Sequence, residues 1–350
     1  MPGFHLKQVF AAALALALSN PVTAQDPAYL RGYFDALIDD HYPGLETGIL
    51  SIDADNRVLL SGGNCFSPTR KRDIVRLLQE TGKVTAVYWE NADCPSATPS
   101  MADIHALPEQ PVFDGLVADP RQARFSVSYQ RYKISGRTFN ASNTSFGEYF
   151  GLAEGFLGES GVSQIGIQGA VFALFDLDSS SKDLINADYW IGFPITYRKN
   201  AWAYMLKIYH QSSHLGDEFI LNNPDIDRIN LSYEDITLLV SYEWDKLRLY
   251  GGAGYLLHRE PELERQHWQA GAEFVYPQML IGLDWIAAVD IQASEEADWK
   301  RSYSFKTGLE FKNRGRRLRL LLEHFDGNSP NGQFFREDLR YTGVGLDFGF

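Results

Sequence analysis

Along residues 187–198 every second side chain is apolar: Tyr189, Ile191, Phe193, Ile195 and Tyr197 interleave with a set that includes Asp188, Thr196 and Arg198. The same alternation runs through 163–177 (Ile165, Ile167, Val171, Ala173 and Phe175 against Gln164, Gln168 and Asp176). It returns in 280–292 on Ile281, Leu283, Trp285, Ala287 and Val289, and in 302–312 on Tyr303, Phe305, Leu309 and Phe311. A period of two puts neighbouring side chains on opposite faces of an extended strand. Ten or so residues of it, with aromatics near the ends, describe a strand that crosses a bilayer within a closed barrel. A soluble β-sandwich would use shorter strands and fewer aromatics on its faces.

The pattern predicts a mainly β fold: an antiparallel transmembrane β-barrel of about twelve strands over residues 124–350. The strands are expected near 124–134, 144–154, 162–175, 187–198, 201–212, 229–242, 246–257, 266–276, 279–292, 301–312, 316–326 and 339–350. Their connections alternate in length: "RKN", "EWDK", "YPQ" and "NRGR" are tight, whereas 213–228 and 327–338 are long. Such barrels keep periplasmic turns short and extracellular loops long. The closing "GVGLDFGF", with Val344, Leu346, Phe348 and Phe350 on one face, resembles the C-terminal strand by which outer-membrane barrels are recognised for assembly. The opposite, lumen-facing phase carries both signs of charge: Lys207, Lys246, Arg248, Glu273, Asp284, Lys306, Glu310, Arg317, Arg319, Glu323 and Asp347. In so narrow a barrel most of these are expected to pair and fill the interior, which argues against a wide open pore but leaves room for a small channel.

The first third reads differently. "PAYLRGYFDALIDDHYP" has helical spacing through Leu30, Phe34, Leu37 and Ile38, and "GILSIDADNRVLLSGG" reads as two short strands around an Asp-Asn turn. "SPTRKRDIVRLLQETG" opens with Ser67 as N-cap and Pro68 at the first helical position, and "KVTAVYWEN" closes as a strand. Helix, hairpin, helix, strand is the order of a small α+β domain, placed at 25–94. Its "DNRVLLSG", charged helix and "TGKVTAVYW" are similar to the BON domains of bacterial envelope proteins. That resemblance implies attachment to a membrane or to an envelope partner; a plug or spacer is the plainer alternative. Residues 95–123, rich in Pro and without a period, read as a linker.

Composition then fixes the compartment. "MPGFHLKQVF AAALALALSN PVTA" has Lys7 in a short n-region, an apolar run too short to span a bilayer, and a small-residue cleavage site, so residues 1–24 read as a signal peptide. The net charge of −13, or −14 once the +1 of Lys7 is removed, argues against nucleic acid as a partner. The two cysteines, Cys65 and Cys94, are expected to form one structural disulfide in an oxidising periplasm. The barrel is thus expected in a Gram-negative outer membrane with the small domain in the periplasm.

The most chemically loaded stretch is "YHQSSHLGDEF", residues 209–219. In the strand that begins near Ala201 the even positions Trp202, Tyr204, Leu206 and Ile208 form the apolar phase, so His210 and Ser212 share the lipid-facing side near the rim. The returning strand carries Glu234 to a comparable height. Serine, imidazole and an acid that orients the imidazole are what nucleophilic ester hydrolysis needs. The plainer reading is a solvated rim, since polar residues there cost little, about 0–1 kcal/mol. Asp217 and Glu218 are then solvated or hold Ca²⁺ between lipopolysaccharide phosphates; nothing in the sequence requires a cofactor. His214, His258, His267 and His324 read as solvated rim or loop residues. With "LINADYWIGFPITYR" before it and "INLSYE" after it, the stretch resembles a bacterial family known as domain of unknown function 1207, over most of residues 112–350; no activity comes with that likeness. His-x-Ser on an outward strand is also similar to outer-membrane phospholipase A and the lipid A 3-O-deacylases. This second likeness implies His210 as base, Ser212 as nucleophile, Glu234 as orienting acid and a lipid acyl ester as substrate. The residue after the nucleophile is Ser213, and the rest of those families' patterns is absent. A non-enzymatic envelope protein, with the barrel as anchor or narrow channel, is the alternative.

Overall fold

A computed structural model describes residues 26–42, 47–62, 66, 68–90, 104–108, 110–155, 161–280, 283–313 and 316–349. The expected signal peptide, Ser67, Phe350 and the expected Cys65–Cys94 disulfide lie outside the described residues. Helix α1 (Pro27–His41) starts with Pro27 in its first turn, and the Asp26 carboxylate accepts from the Ala28 amide at 2.9 Å. Strands β1 (Ile49–Ile52) and β2 (Arg57–Leu60) pair antiparallel around a turn held by Asp53, which accepts from the Asp55 and Arg57 amides. Helix α2 (Pro68–Glu80) then carries the chain back so that β3 (Ala86–Trp89) lies parallel to β2. Leu30, Phe34 and Ile38 of α1 pack with Ile49, Val58, Leu60, Ile74 and Leu78 into one small core. The expected element order is present.

After β4 (His105–Ala106) comes the barrel. Its strands are β5 (Phe125–Ile134), β6 (Arg137–Glu154), β7 (Val162–Asp176), β8 (Leu184–Lys199), β9 (Trp202–Leu215) and β10 (Leu231–Trp244). They continue with β11 (Leu247–Glu260), β12 (Gln266–Leu280), β13 (Leu283–Ser294), β14 (Ser302–Asn313), β15 (Arg316–Asn328) and β16 (Asp338–Gly349). Each pairs antiparallel with the next, and β16 pairs with β5 from Leu339↔Ile134 to Phe348↔Phe125, closing a twelve-stranded barrel. The outward face is apolar: Tyr189, Ile191, Phe193 and Ile195 on β8 and Trp202, Tyr204, Leu206 and Ile208 on β9 are exposed. An exposed apolar belt of this kind on a closed barrel is a lipid-facing surface. Both ends of the barrel domain lie at the short-turn end, where β8–β9 and β10–β11 turn within two residues.

Strand β6 is longer than the alternation predicts. It begins at Arg137, after a two-residue turn in which Ser135 and Gly136 take φ of +48° and +77°. The stretch "RTFNASN" lacks an apolar outward phase because this part of the strand presents Thr138, Asn140 and Ser142 on its outer side. Its buried residues, Phe139 and Ala141, belong instead to a cluster with Tyr132, Leu174, Phe325 and Tyr341 at the long-loop end. Helix α3 (Asp217–Asn222) adds Phe219 to that cluster, and Phe334 packs against it. The long connections therefore fold inward. Gln333 donates to the carbonyls of Ser213 and Ile229 at 2.9 and 2.8 Å, and the Gly332 amide donates to buried Asp188 at 3.1 Å.

Residues 110–123, expected to be linker, enter the lumen from the short-turn end. Val112, Phe113, Leu116, Val117 and Ala118 are buried, Phe113 and Leu116 against Met205, Leu239 and Tyr250, and Val117 and Ala118 against Ile286 and Leu321. The segment shows no period because it is neither helix nor strand, and side chains of the wall satisfy its backbone. The Val117 amide donates to Glu273 at 2.6 Å, Arg198 donates to the Val112 carbonyl at 2.9 Å, and Arg248 donates to the Asp114 carbonyl at 2.8 Å. Around it the lumen charges pair as the sequence predicts: Arg198–Glu243 at 2.8 Å, Arg248–Glu273 at 3.2 Å, Lys306–Glu323 at 2.7 Å and Arg319–Glu310 at 2.6 Å. A buried pair left without one partner costs about 3–5 kcal/mol, so these side chains are fixed together rather than lining a free passage.

The small domain rests on the same end. Arg76 of α2 donates to both carboxylate oxygens of Asp284 at 3.1 and 3.0 Å, Lys312 reaches Asp73 at 3.3 Å, and Arg72 bonds the Asp245 carbonyl in the β10–β11 turn. Two outcomes follow from this packing. The full chain in a planar bilayer should show no large steady conductance, and such a pore would contradict the filled lumen. Arg76→Ala should weaken docking of the domain by about 1.5–3 kcal/mol, the worth of hydrogen bonds to a charged group. Limited proteolysis should then release residues 26–90 faster, with barrel assembly unchanged.

Candidate functional site

The wall places the expected residues by register. Glu234 on β10 lies directly opposite His210 on β9, and Ser232 lies opposite Ser212. On β9 the six steps from Trp202 to Ile208 span about 20 Å along the strand, so His210 is the first polar side chain of the outward phase beyond the exposed apolar belt. Gln211 and Ser213, in the other phase, are buried in the lumen, which puts His210 and Ser212 on the outer wall. The Glu234 carboxylate accepts from His210 Nδ1 at 2.8 Å. An ionised carboxylate only accepts, so this bond places a ring proton on Nδ1, and in the neutral imidazole it is Nε2 that carries the lone pair.

Ser212 stands two residues on, half-buried between Tyr189 and Ser232. No hydrogen bond joins its hydroxyl to the His210 ring. The structure therefore brings His210 and Glu234 together and puts Ser212 on the same face without closing the third contact. Such contacts are often long in a free site and tighten with substrate. Asp217 and Glu218 are exposed in the first turn of α3, and no group of three or more carboxylates, imidazoles or thiols that could hold a metal occurs among the described residues. Gly216 before them is required by space: a methyl group there would fall 1.8 Å from the Leu184 carbonyl oxygen.

One member of this outer row was hidden from the pattern. His258 of β11 places Nδ1 3.0 Å from the other oxygen of Glu234, so one carboxylate joins two imidazoles across three strands. The odd positions of β11, among them Leu249, Tyr255 and Leu257, face outward, and parity would send His258 inward. A β-bulge intervenes, because Asp235 pairs with Leu256 while Glu234 pairs with His258. The extra residue, Leu257, returns His258 to the outer face. His214 stays on the rim with its ring against Tyr189 at 5.7 Å, and His324 bonds Thr342 at 2.8 Å on the exposed face. His267 is not a rim residue: it turns into the barrel, and its Nε2 lies 2.6 Å from Asp235.

Solved structures similar to this chain are barrels. Outer membrane phospholipase A from Escherichia coli is 13% identical, with 69% of this chain and 95% of that one covered at a TM-score of 0.49. The Salmonella typhi outer membrane phospholipase dimer with bound calcium is 13% identical, with 66% and 93% covered at 0.45. The beta domain of the Bordetella autotransporter BrkA is 14% identical, with 65% and 98% covered at 0.37. Superpositions this loose carry no function, and the barrel assignment rests on the strand pairing above. No curated protein matches the chain. Residues 79–350, comprising every strand of the barrel and its lumen segment, match the model of the family described as protein of unknown function DUF1207, and the chain belongs to that family.

Proposed function

We propose that this protein is an outer-membrane barrel that hydrolyses acyl esters of membrane lipid at its outward rim. Ser212 serves as nucleophile, His210 as general base and Glu234 as the acid that orients the imidazole. The observation that supports this reading is the 2.8 Å contact between His210 Nδ1 and Glu234 on the lipid side of the wall, level with the polar edge of the apolar belt. A hydrogen-bonded carboxylate behind an imidazole whose other nitrogen is free prepares that nitrogen to take a proton. Acyl-ester carbonyls of a lipid lie at this depth, between hydrocarbon and headgroup.

Both halves of the reaction then run through Nε2 of His210, while Nδ1 stays bonded to Glu234. Ser212 Oγ attacks the ester carbonyl while His210 Nε2 takes its proton, and the C–O double bond opens to an oxyanion. The oxyanion collapses, the alcohol leaves with the proton from His210, and the acyl group stays on Ser212. Water, deprotonated by the same nitrogen, attacks the acyl-enzyme and frees the fatty acid. Glu234 holds the ring through both steps and stabilises its positive charge. His258, on the second oxygen of Glu234, fixes that carboxylate from the far side. Ca²⁺ at Asp217 and Glu218 would have to take its remaining donors from lipid phosphate.

A second reading is favoured by the contacts of Arg76, Arg72 and Lys312 between the small domain and the barrel. Here the sealed barrel anchors the BON-like domain in the periplasm for an envelope partner. Lipid mass spectrometry of membranes from cells expressing the wild type, Ser212→Ala and Glu234→Gln separates the two. Hydrolysis predicts lysophospholipid or deacylated lipid A with the wild type, lower by roughly 10³-fold or more in Ser212→Ala and by roughly ten-fold or more in Glu234→Gln. Identical lipid profiles for all three assembled proteins would remove the enzyme and leave the anchor.

A further inference from the structure

Inside the barrel, on the opposite side of the wall from Ser212, is a cavity of about 270 Å³. It runs from Asp119 and Arg121 at the tip of the lumen segment to Glu264, Gln266 and Lys300 at the long-loop end, all three of which are exposed. The proposed hydrolysis uses none of it. Lys207 of β9 projects into it from the wall, and its ammonium lies 5.3 Å from the Trp190 ring centre and 5.1 Å from that of Tyr209. No carboxylate among the described residues comes within 4.0 Å of that ammonium. This sets Lys207 apart from Lys306 and Lys312, whose ammonium groups contact Glu323 and Glu310 at 2.7 and 3.0 Å.

The acids nearest in the cavity are committed elsewhere. Asp235 is fully buried and bonded to His267 at 2.6 Å and to the Thr237 hydroxyl. The first of these bonds depends on Gly254 of the intervening strand, where a methyl group would fall 2.2 Å from the His267 ring. Asp119 accepts from the Arg121 amide at 2.8 Å and from Gln292 at 3.2 Å. Arg265, also in the lining, donates to the Leu256 and Leu257 carbonyls rather than to an acid. Aromatic faces stabilise a cation by about 0.5–2 kcal/mol, less than a desolvated charge requires. The ammonium thus retains donor capacity directed at the open volume.

We infer that this cavity binds a small organic carboxylate, held by a charge-assisted hydrogen bond from Lys207, with the amides of Gln211 and Gln269 and the apolar Leu231, Leu256 and Phe335 around its body. Carboxylate recognition is the shared chemistry, and two kinds of body fit a lining that is both amide-bearing and apolar: a hydroxylated ring and a flat hydrocarbon ring. Isothermal titration of the full-length protein in detergent with glucuronate and with benzoate tells them apart, with glucose and benzyl alcohol as their uncharged counterparts. At least one acid should bind saturably while its uncharged counterpart does not. Lys207→Met should weaken that acid by roughly ten-fold or more, as expected for a charge-assisted bond, and Lys207→Arg should retain it. Saturable binding of neither acid, equal binding of acid and uncharged counterpart, or undiminished binding by an assembled Lys207→Met protein would overturn the inference. The comparison of acids with uncharged counterparts decides on the wild type alone should Lys207→Met fail to assemble.

Discussion

A backbone amide facing hydrocarbon has no water to bond, so a strand in lipid must find partners on both sides. The pairing of β16 with β5 meets that demand by leaving the sheet without an edge. Everything else follows from the closure. Once the ring is shut, each side chain of the wall faces either lipid or lumen, and its parity decides which. Apolar side chains collect outside, and charges of both signs are confined to a narrow interior where most of them pair. Residues 110–123 complete that interior by adding apolar bulk and backbone groups that the lumen arginines and Glu273 bind.

Parity also explains why much of this structure could be read from the order of residues. Strands such as β8, with Tyr189, Ile191, Phe193 and Ile195 outward, announce themselves because hydrocarbon tolerates no break in the alternation. The pairing of most interior charges was legible for the same reason; Lys207 and Lys246 lie over aromatic rings instead, the first over Trp190 and Tyr209 and the second over Tyr276. Where lipid no longer touches the wall the signal fades. The first half of β6 lies beyond the belt, its outward Thr and Asn are free to be polar, and it begins seven residues before the alternation does. The lumen segment carries no period at all, since it is held by side chains of other strands rather than by its own ladder.

The outer site divides along the same line. His210, Ser212 and Glu234 share a face through regular spacing, and the ladder sets His210 against Glu234 as counting predicts. His258 joins them only because one extra residue in β11 reverses the phase, and an insertion of a single position leaves no mark on an alternation read from one chain. His267 shows the converse. Its ring reaches Asp235, two strands away, across the bare backbone of Gly254 on the strand between, a three-strand relation that no linear pattern encodes.

Arg124 binds the lumen segment and the closing seam together. It donates to the carbonyls of Leu116, Val117 and Asp119 and, at 2.8 Å, to Asp347 of the last strand. One guanidinium therefore joins the interior filling to both margins of the sheet, since it immediately precedes β5 and contacts β16. The seam between the first strand and the last and the seat of the filling thus share one side chain. Loss of that guanidinium would therefore loosen the stopper and the seam together, with the backbone ladder between β16 and β5 left to hold the ring shut.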